Sequence, residues 1–223
     1  MSELQQRLDQ LVLRLDRMGM RVEQAVIDAL AAVANGDIQA GTAVDENDSV
    51  VDREEVQIEQ ECVCLLALYQ PAAVDLRTIC TIIKVNSDLE RIADLAAGIG
   101  RRVKHVIKDD LDLREDAGFR RLRESTLDLL GRTVRTLTAT DATSARAVIT
   151  GDKEIDNAYG AYVRAVLDAE DRRAGGAEPA MTQINLAKAL ERIGDLCTNI
   201  AEDVIFLRTG DIIRHADAFD TSE

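Results

Sequence analysis

The chain has 223 residues, enough for one large domain or two small ones and enough to bury roughly 70% of its unfolded surface without staples. Proline occurs twice and aromatic residues make up 3%, which excludes an aromatic core, and no short alternating run is bracketed by Gly, Asn or Pro, which excludes a β fold. A formal net charge of −14 argues against a nucleic-acid footprint and against electrostatic adsorption to an anionic membrane; it suits plain solubility, metal ions or basic partner surfaces.

Residues 3 to 35 read as an amphipathic helix. Leu4, Leu8, Leu11, Leu15, Met18, Val22, Ala25 and Ala29 advance in alternating steps of four and three, a seam suited to lying along other helices, in its own bundle or in a second subunit. Gly36 is placed to cap it. A second helix is expected over 38–69, broken by Tyr69-Gln70-Pro71. A third is expected from Asp75, as N-cap, to about 107. The polar stretch KDDLDLREDAGF then marks a boundary near residue 110, separating a first half (1–110) from a second (111–215) and a loose tail (216–223). A fourth helix is expected over 114–140 and a fifth over 142–173, ahead of Gly175-Gly176. The sixth opens at Glu178-Pro179, runs to 209 and stops at Gly210. Its seam (Leu186, Leu190, Ile193, Cys197, Ile200, Val204, Leu207) repeats the logic of the first helix. The fold class is therefore all-α, six long helices in two tandem three-helix bundles.

An acidic pattern occurs four times. Asp48 and Asp52 recur as Asp152 and Asp156 at an offset of 104, and Glu90 and Asp94 recur as Glu191 and Asp195 at an offset of 101. Constant offsets over two helices indicate internal duplication. Each pair is spaced i, i+4, which stacks two carboxylates on one helix face at a cost of about 0.2–0.5 kcal/mol in an isolated helix. A cost repeated four times points to a cation or basic partner that relieves it. In the second half Asn199 and Glu202 extend the Glu191–Asp195 ridge, all four lying within roughly 80° of arc. An oxygen-only set of this kind suits hard cations such as Mg²⁺, Ca²⁺, Mn²⁺ or iron, with Asp152 and Asp156 as further donors if their helix is adjacent. In the first half Gly98 and Arg101 stand where Asn199 and Glu202 would be, although Asn86 extends the ridge one turn earlier. A site on Glu90, Asp94, Asp48 and Asp52 should be the weaker one.

Catalysis is not expected. The two histidines, His105 and His215, do not follow a Glu by three residues, as a carboxylate di-iron centre requires, and read as exposed helix-end groups. No Walker loop, dinucleotide fingerprint or nucleophile elbow is present, and two slender bundles imply no cleft. Cys62, Cys64, Cys80 and Cys197 read as buried reduced thiols. With no signal-peptide pattern at the N-terminus and no run of 18 uncharged apolar residues, the cytoplasm is the expected compartment, with no membrane insertion.

Three stretches resemble a known family. QPAAVDLRTI (Gln70 to Ile79), NSDLERIADLAAGI (Asn86 to Ile99) and KALERIGDLCTNIAEDV (Lys188 to Val204) look like the signature segments of PhoU proteins, and Met18-Gly19-Met20 with Val22-Glu23 is similar to that family's first helix. The likeness runs from about residue 3 to 215. It implies two three-helix bundles, a cytoplasmic negative regulator of phosphate uptake and phosphate-starvation signalling, and a bridge between the phosphate ABC transporter ATPase subunit and a sensor histidine kinase. It further implies homodimers and, in some members, iron or another hard cation on the acidic motifs. The rival reading is a metal-buffering or metal-storage bundle whose ridges are its purpose.

Overall fold

The structure, a computed structural model, describes residues 2–139, 141–170 and 177–213. Six long helices and one short one follow each other: α1 (Glu3–Asn35), α2 (Ile38–Tyr69), α3 (Ala73–Arg101), α4 (Val103–Lys108), α5 (Ala117–Ala139), α6 (Ala142–Glu170) and α7 (Glu178–Thr209), with no strand among the described residues. The expected bounds of the first two helices hold to the residue. Ser2 accepts from Gln5 N to cap α1, and Gly36 ends it in the left-handed conformation. Asp37 caps α2 through Ala40 N, Asp116 caps α5 through Phe119 N, and Asp141 caps α6 through Ser144 N; each satisfies donors the helix leaves open.

Two expectations about the third helix need correction. Asp75 is not its N-cap: Ala72 holds that position without a side-chain bond, and Asp75 lies in the first turn, where its charge complements the helix dipole. The helix also ends at Arg101, and α4 continues after Arg102. Close packing explains the break. A Cβ on Gly100 would stand 2.5 Å from the Gly41 carbonyl oxygen, so α2 and α3 meet backbone to backbone there. The glycine pair Gly98/Gly100 is a weak point in the helix, and the turn lets Val103 and Val106 on α4 bury.

Helices α1, α2 and α3 form one bundle and α5, α6 and α7 the other. The bundles meet through α3 against α7 and α1 against α5, which leaves α2 and α6 on the outer flanks. Lys84, early in α3, meets Asp203, late in α7, while Arg101 and Arg102, late in α3, share a groove with Asn185 and Lys188, early in α7. The two central helices therefore run antiparallel. The α1 seam faces its own chain: Leu8, Leu11, Leu15, Met18 and Val22 are buried with Ile92 of α3 and Leu130 of α5 in one aliphatic core, each fully buried side chain contributing about 1.5–3 kcal/mol. Phe119 and Tyr162 are its principal ring contact, with centroids 5.9 Å apart.

Cys62 and Cys197 are buried, and burial pushes both thiols up to about 12. Cys80 is half-buried, but Cys64 is exposed, contrary to expectation, because the two-residue step from Cys62 turns it to the outer side of α2. His105 is exposed. His215, the tail from 216, Thr140 and the 171–176 stretch lie outside the described residues.

Candidate functional site

Each outer helix lays its aspartates against the acidic ridge of the central helix beside it. In the first half, Asp48 and Asp52 of α2 face Glu90 and Asp94 of α3. Asp48 is pushed up to about 6, first by burial and then by the neighbouring charges of Asp52 and Asp94. Glu90 is also raised, by burial and then by Asp94, Asp52, Glu55 and Asp48. Glu55 thus joins the cluster one turn beyond Asp52, a fifth acid that the repeat pattern missed. Arg101 offsets this charge: it pairs with Asp45 on α2 and draws Asp48 downward.

In the second half, Asp152 and Asp156 of α6 face Glu191 and Asp195 of α7. Asp152 is likewise pushed up to about 6, first by burial and then by Asp156 and Asp195, with Glu191 adding a smaller push. Its approach depends on Gly194, where a Cβ would stand 2.7 Å from Asp152 Oδ1. That oxygen is buried without a hydrogen-bond partner, as is the nearby Thr198 Oγ1; the hydroxyl eases the charge on Asp152 without meeting it at bonding geometry. Asp195 is raised by burial and by Glu191, and Lys188 pulls it back. Lys188 Nζ lies 2.6 Å from Glu191 and 5.4 Å from the Tyr159 ring centre. Asp48, Asp52, Glu90 and Asp94 are thus brought together, and so are Asp152, Asp156, Glu191 and Asp195.

The upper part of the ridge behaves differently. Asn199 lines the groove between α3 and α7 instead of the α6 side, and Glu202 is half-buried with an interaction of its own. Asn86 does not extend the first ridge: it is 1% exposed, and its Nδ2 donates to the Glu55 carbonyl at 2.9 Å, tying α3 to α2. Sequence reasoning missed Lys188, Thr198 and Glu55. The signal for Lys188 and Glu55 was helical spacing: Lys188 lies three residues before Glu191, and Glu55 three after Asp52.

The two clusters lie on either side of a groove of about 610 Å³ along the α3–α7 contact, whose walls include Asp94 and Asp195 themselves. Slender bundles were expected to leave no cleft; the antiparallel crossing of two helices with short side chains at Gly98 and Ala189 creates one. Five cations, Arg91, Arg101, Arg102, Lys188 and Arg192, line it.

The donor chemistry fits a hard cation. The candidate donors are all oxygen, and the orphaned Asp152 Oδ1 is an acceptor that a cation would satisfy. As they stand, however, no group of three or more His, Cys, Asp or Glu side chains among the described residues is disposed to hold a metal ion.

A family model described as the PhoU domain matches this chain twice, over residues 15–103 and 119–204. The chain belongs to the PhoU family. Each match takes in one bundle's helix-rich core and one pair of acidic motifs. Among its relatives, the phosphate-specific transport system accessory protein PhoU of Serratia marcescens is 35% identical over 204 residues, 89% of this chain and 81% of that protein. The PhoU homolog of Rhizobium meliloti (strain 1021) is 32% identical over 212 residues, 94% of this chain and 89% of that protein. The crystal structure of PhoU from Pseudomonas aeruginosa superposes with a TM-score of 0.89 at 32% identity, covering 94% of this chain and 100% of that one. The phosphate transport system regulatory protein PhoU from Streptococcus pneumoniae gives a TM-score of 0.87 at 25% identity, covering 94% and 99%. No helix of the described residues is long and apolar enough to cross a membrane.

Proposed function

We propose that this chain is an accessory regulator of phosphate-specific transport that restrains uptake and phosphate-starvation signalling when phosphate is ample. The observation that supports this most is the match to transport accessory proteins across both repeats, at 35% identity over 89% of the chain. The role is one of docking, and no reaction is assigned to it. Two carboxylate clusters on the α2–α3 and α6–α7 seams hold charge that burial and mutual repulsion already oppose, so a basic surface that screens them is favoured. The partners that fit are the ATPase subunit of the phosphate ABC transporter and a sensor histidine kinase, met in the cytoplasm, with the chain as a homodimer. Asp152, Asp156, Glu191 and Asp195 are the residues that would hold a hard cation, iron included. Asp48, Asp52, Glu90 and Asp94 would do so more weakly, because Arg101 already occupies the neighbourhood with positive charge.

The test is the output of a phosphate-starvation reporter in phosphate-replete cells lacking the gene. High output, returned to baseline by the intact protein, is expected. Output equal to wild type would overturn the regulator and bring forward the second reading, a metal-buffering bundle, which the orphaned Asp152 oxygen favours.

A further inference from the structure

The pseudo-twofold relation between the halves exposes a mismatch at one end of the α3–α7 crossing. At the first end, Lys84 reaches Asp203 at 3.1 Å and lies 5.4 Å from the Phe206 ring centre, so cation, acid and ring close the crossing. The duplicate offset of 101 puts Asn185 in the place of Lys84 and Arg102 in the place of Asp203. The second end therefore carries a neutral amide facing a guanidinium, and there the groove opens.

The cations that line it outnumber the acids, five against Asp94 and Asp195, in a chain whose net charge is −14. Their internal contacts leave donors free. Arg102 Nη1 donates to the Gly98 carbonyl at 2.8 Å; Arg91 has one contact with Asp88, and Arg101 pairs with Asp45 and eases Asp48. Arg192 lines the groove within reach of Asp195, whose charge it eases. A guanidinium carries five N–H donors and no acceptor, and Asn185 and Asn199 add amide donors to the same walls. Gly98 keeps the floor low where the second half has Asn199.

We propose that this groove binds an anion bearing several linked phosphate groups. Arginines forked towards a shared space match phosphate oxygens in pairs. Spread decides against a single phosphate: the Arg91 and Arg102 backbones stand about 16 Å apart at the ordinary rise of a helix, so one tetrahedral anion engages the cations of only part of the groove, whereas linked phosphates engage several. Asp94 and Asp195 flank the groove and restrict the ligand to one that presents its oxygens between them. The inference goes beyond the regulatory role and does not rest on it, because the purified chain alone provides the readout.

The experiment is calorimetric titration of the full chain at low salt with tripolyphosphate, ATP, orthophosphate and a glutamate oligomer of matched charge. Tripolyphosphate should bind at least about tenfold more tightly than orthophosphate, and the double variant Arg102→Gln/Arg192→Gln should weaken it by about tenfold or more. Arg53→Gln/Arg146→Gln, an equal charge change at exposed positions outside the groove, should change affinity less than about twofold. ATP equal to tripolyphosphate would assign the site to any phosphate chain, and ATP weaker would assign it to the free polyanion; both uphold the proposal. No binding of tripolyphosphate, equal loss in the control variant, orthophosphate binding as tightly, or the glutamate oligomer binding as well would each overturn it.

Discussion

The two halves share a backbone plan and differ in how they treat the same four acids. In the first, Ala93 stands where the second has Gly194, and Asp48 lies opposite it with Arg101 in reach. In the second, Gly194 admits the Asp152 carboxylate against the helix, and its oxygen ends buried and without a partner. The ion-paired cations stand at opposite ends of the two clusters: Arg101 follows Glu90 and Asp94, whereas Lys188 precedes Glu191 and Asp195. Duplication thus preserved the acids while their relief changed. Carboxylates on facing helices can be relieved by any nearby positive charge, so the acids constrain the site more than the particular counter-charge does.

Substitutions that convert one half towards the other test this contrast. The largest effect is expected at the closed end of the crossing. Lys84→Met removes the ammonium from buried Asp203, which keeps a further interaction, and should lower stability by about 2 kcal/mol, discounted because the lysine is half exposed; Asn185→Met at the matching open position should cost under about 0.5 kcal/mol. Urea unfolding of both variants measures the difference, and equal losses would contradict the asymmetry. Next comes Gly194→Ala, whose methyl would stand 2.7 Å from Asp152 Oδ1 and 3.0 Å from Ile155 Cδ1. A loss of about 1–2 kcal/mol is expected, against about 0.5–1 kcal/mol for the reciprocal Ala93→Gly, which only loosens the helix.

Protonation gives a smaller effect with a definite sign. Asp48 and Asp152 rise from 3.8 to about 6 on folding, so between those values the native state binds more protons than the unfolded one. Stability from these groups is complete below about 4 and falls as pH rises through 6. Asp152→Asn and Asp48→Asn should therefore each stabilise the chain at pH 8 by about 1 kcal/mol after allowance for solvent screening. They should also flatten the decline between pH 4 and 6 that thermal unfolding of the unmodified chain is expected to show. A steeper decline in either variant would reverse the sign argued here. The smallest effect should come from metal. Manganese or ferrous iron should raise the melting temperature by roughly 2–4 °C, a gain of at most about 1 kcal/mol. The second-half variant Asp156→Asn/Glu191→Gln should abolish that rise and Asp52→Asn/Glu90→Gln should leave most of it.

Several features of this molecule were legible in the chain. The four-three steps of Leu8, Leu11, Leu15 and Met18 place one apolar stripe on a helix, and that stripe is the buried side of α1. Gly36, Asp37 and Gly210 mark helix ends through local backbone and capping chemistry that needs no distant partner. The offsets of the acidic pairs revealed the repeat, and helical period put each pair on one face. The break at Arg102 was not legible, because it arises where Gly100 meets Gly41 across two helices. Nor was the role of Lys188, whose value depends on Tyr159 and Glu191 together.

The sequence by itself determined the all-α class, the six long helices, the duplication and which carboxylates share a helix face, since these follow from periodicity and from bonds within a few residues. Tertiary structure alone decided that α2 and α6 lie on the flanks, that Asp48 meets Asp94 and Asp152 meets Gly194, and that five cations gather in one groove of an acidic protein. The physical reason is that antiparallel packing of α3 on α7 joins residues about a hundred positions apart, and the depth of burial and field at each carboxylate are set by that crossing and not by its neighbours in the chain.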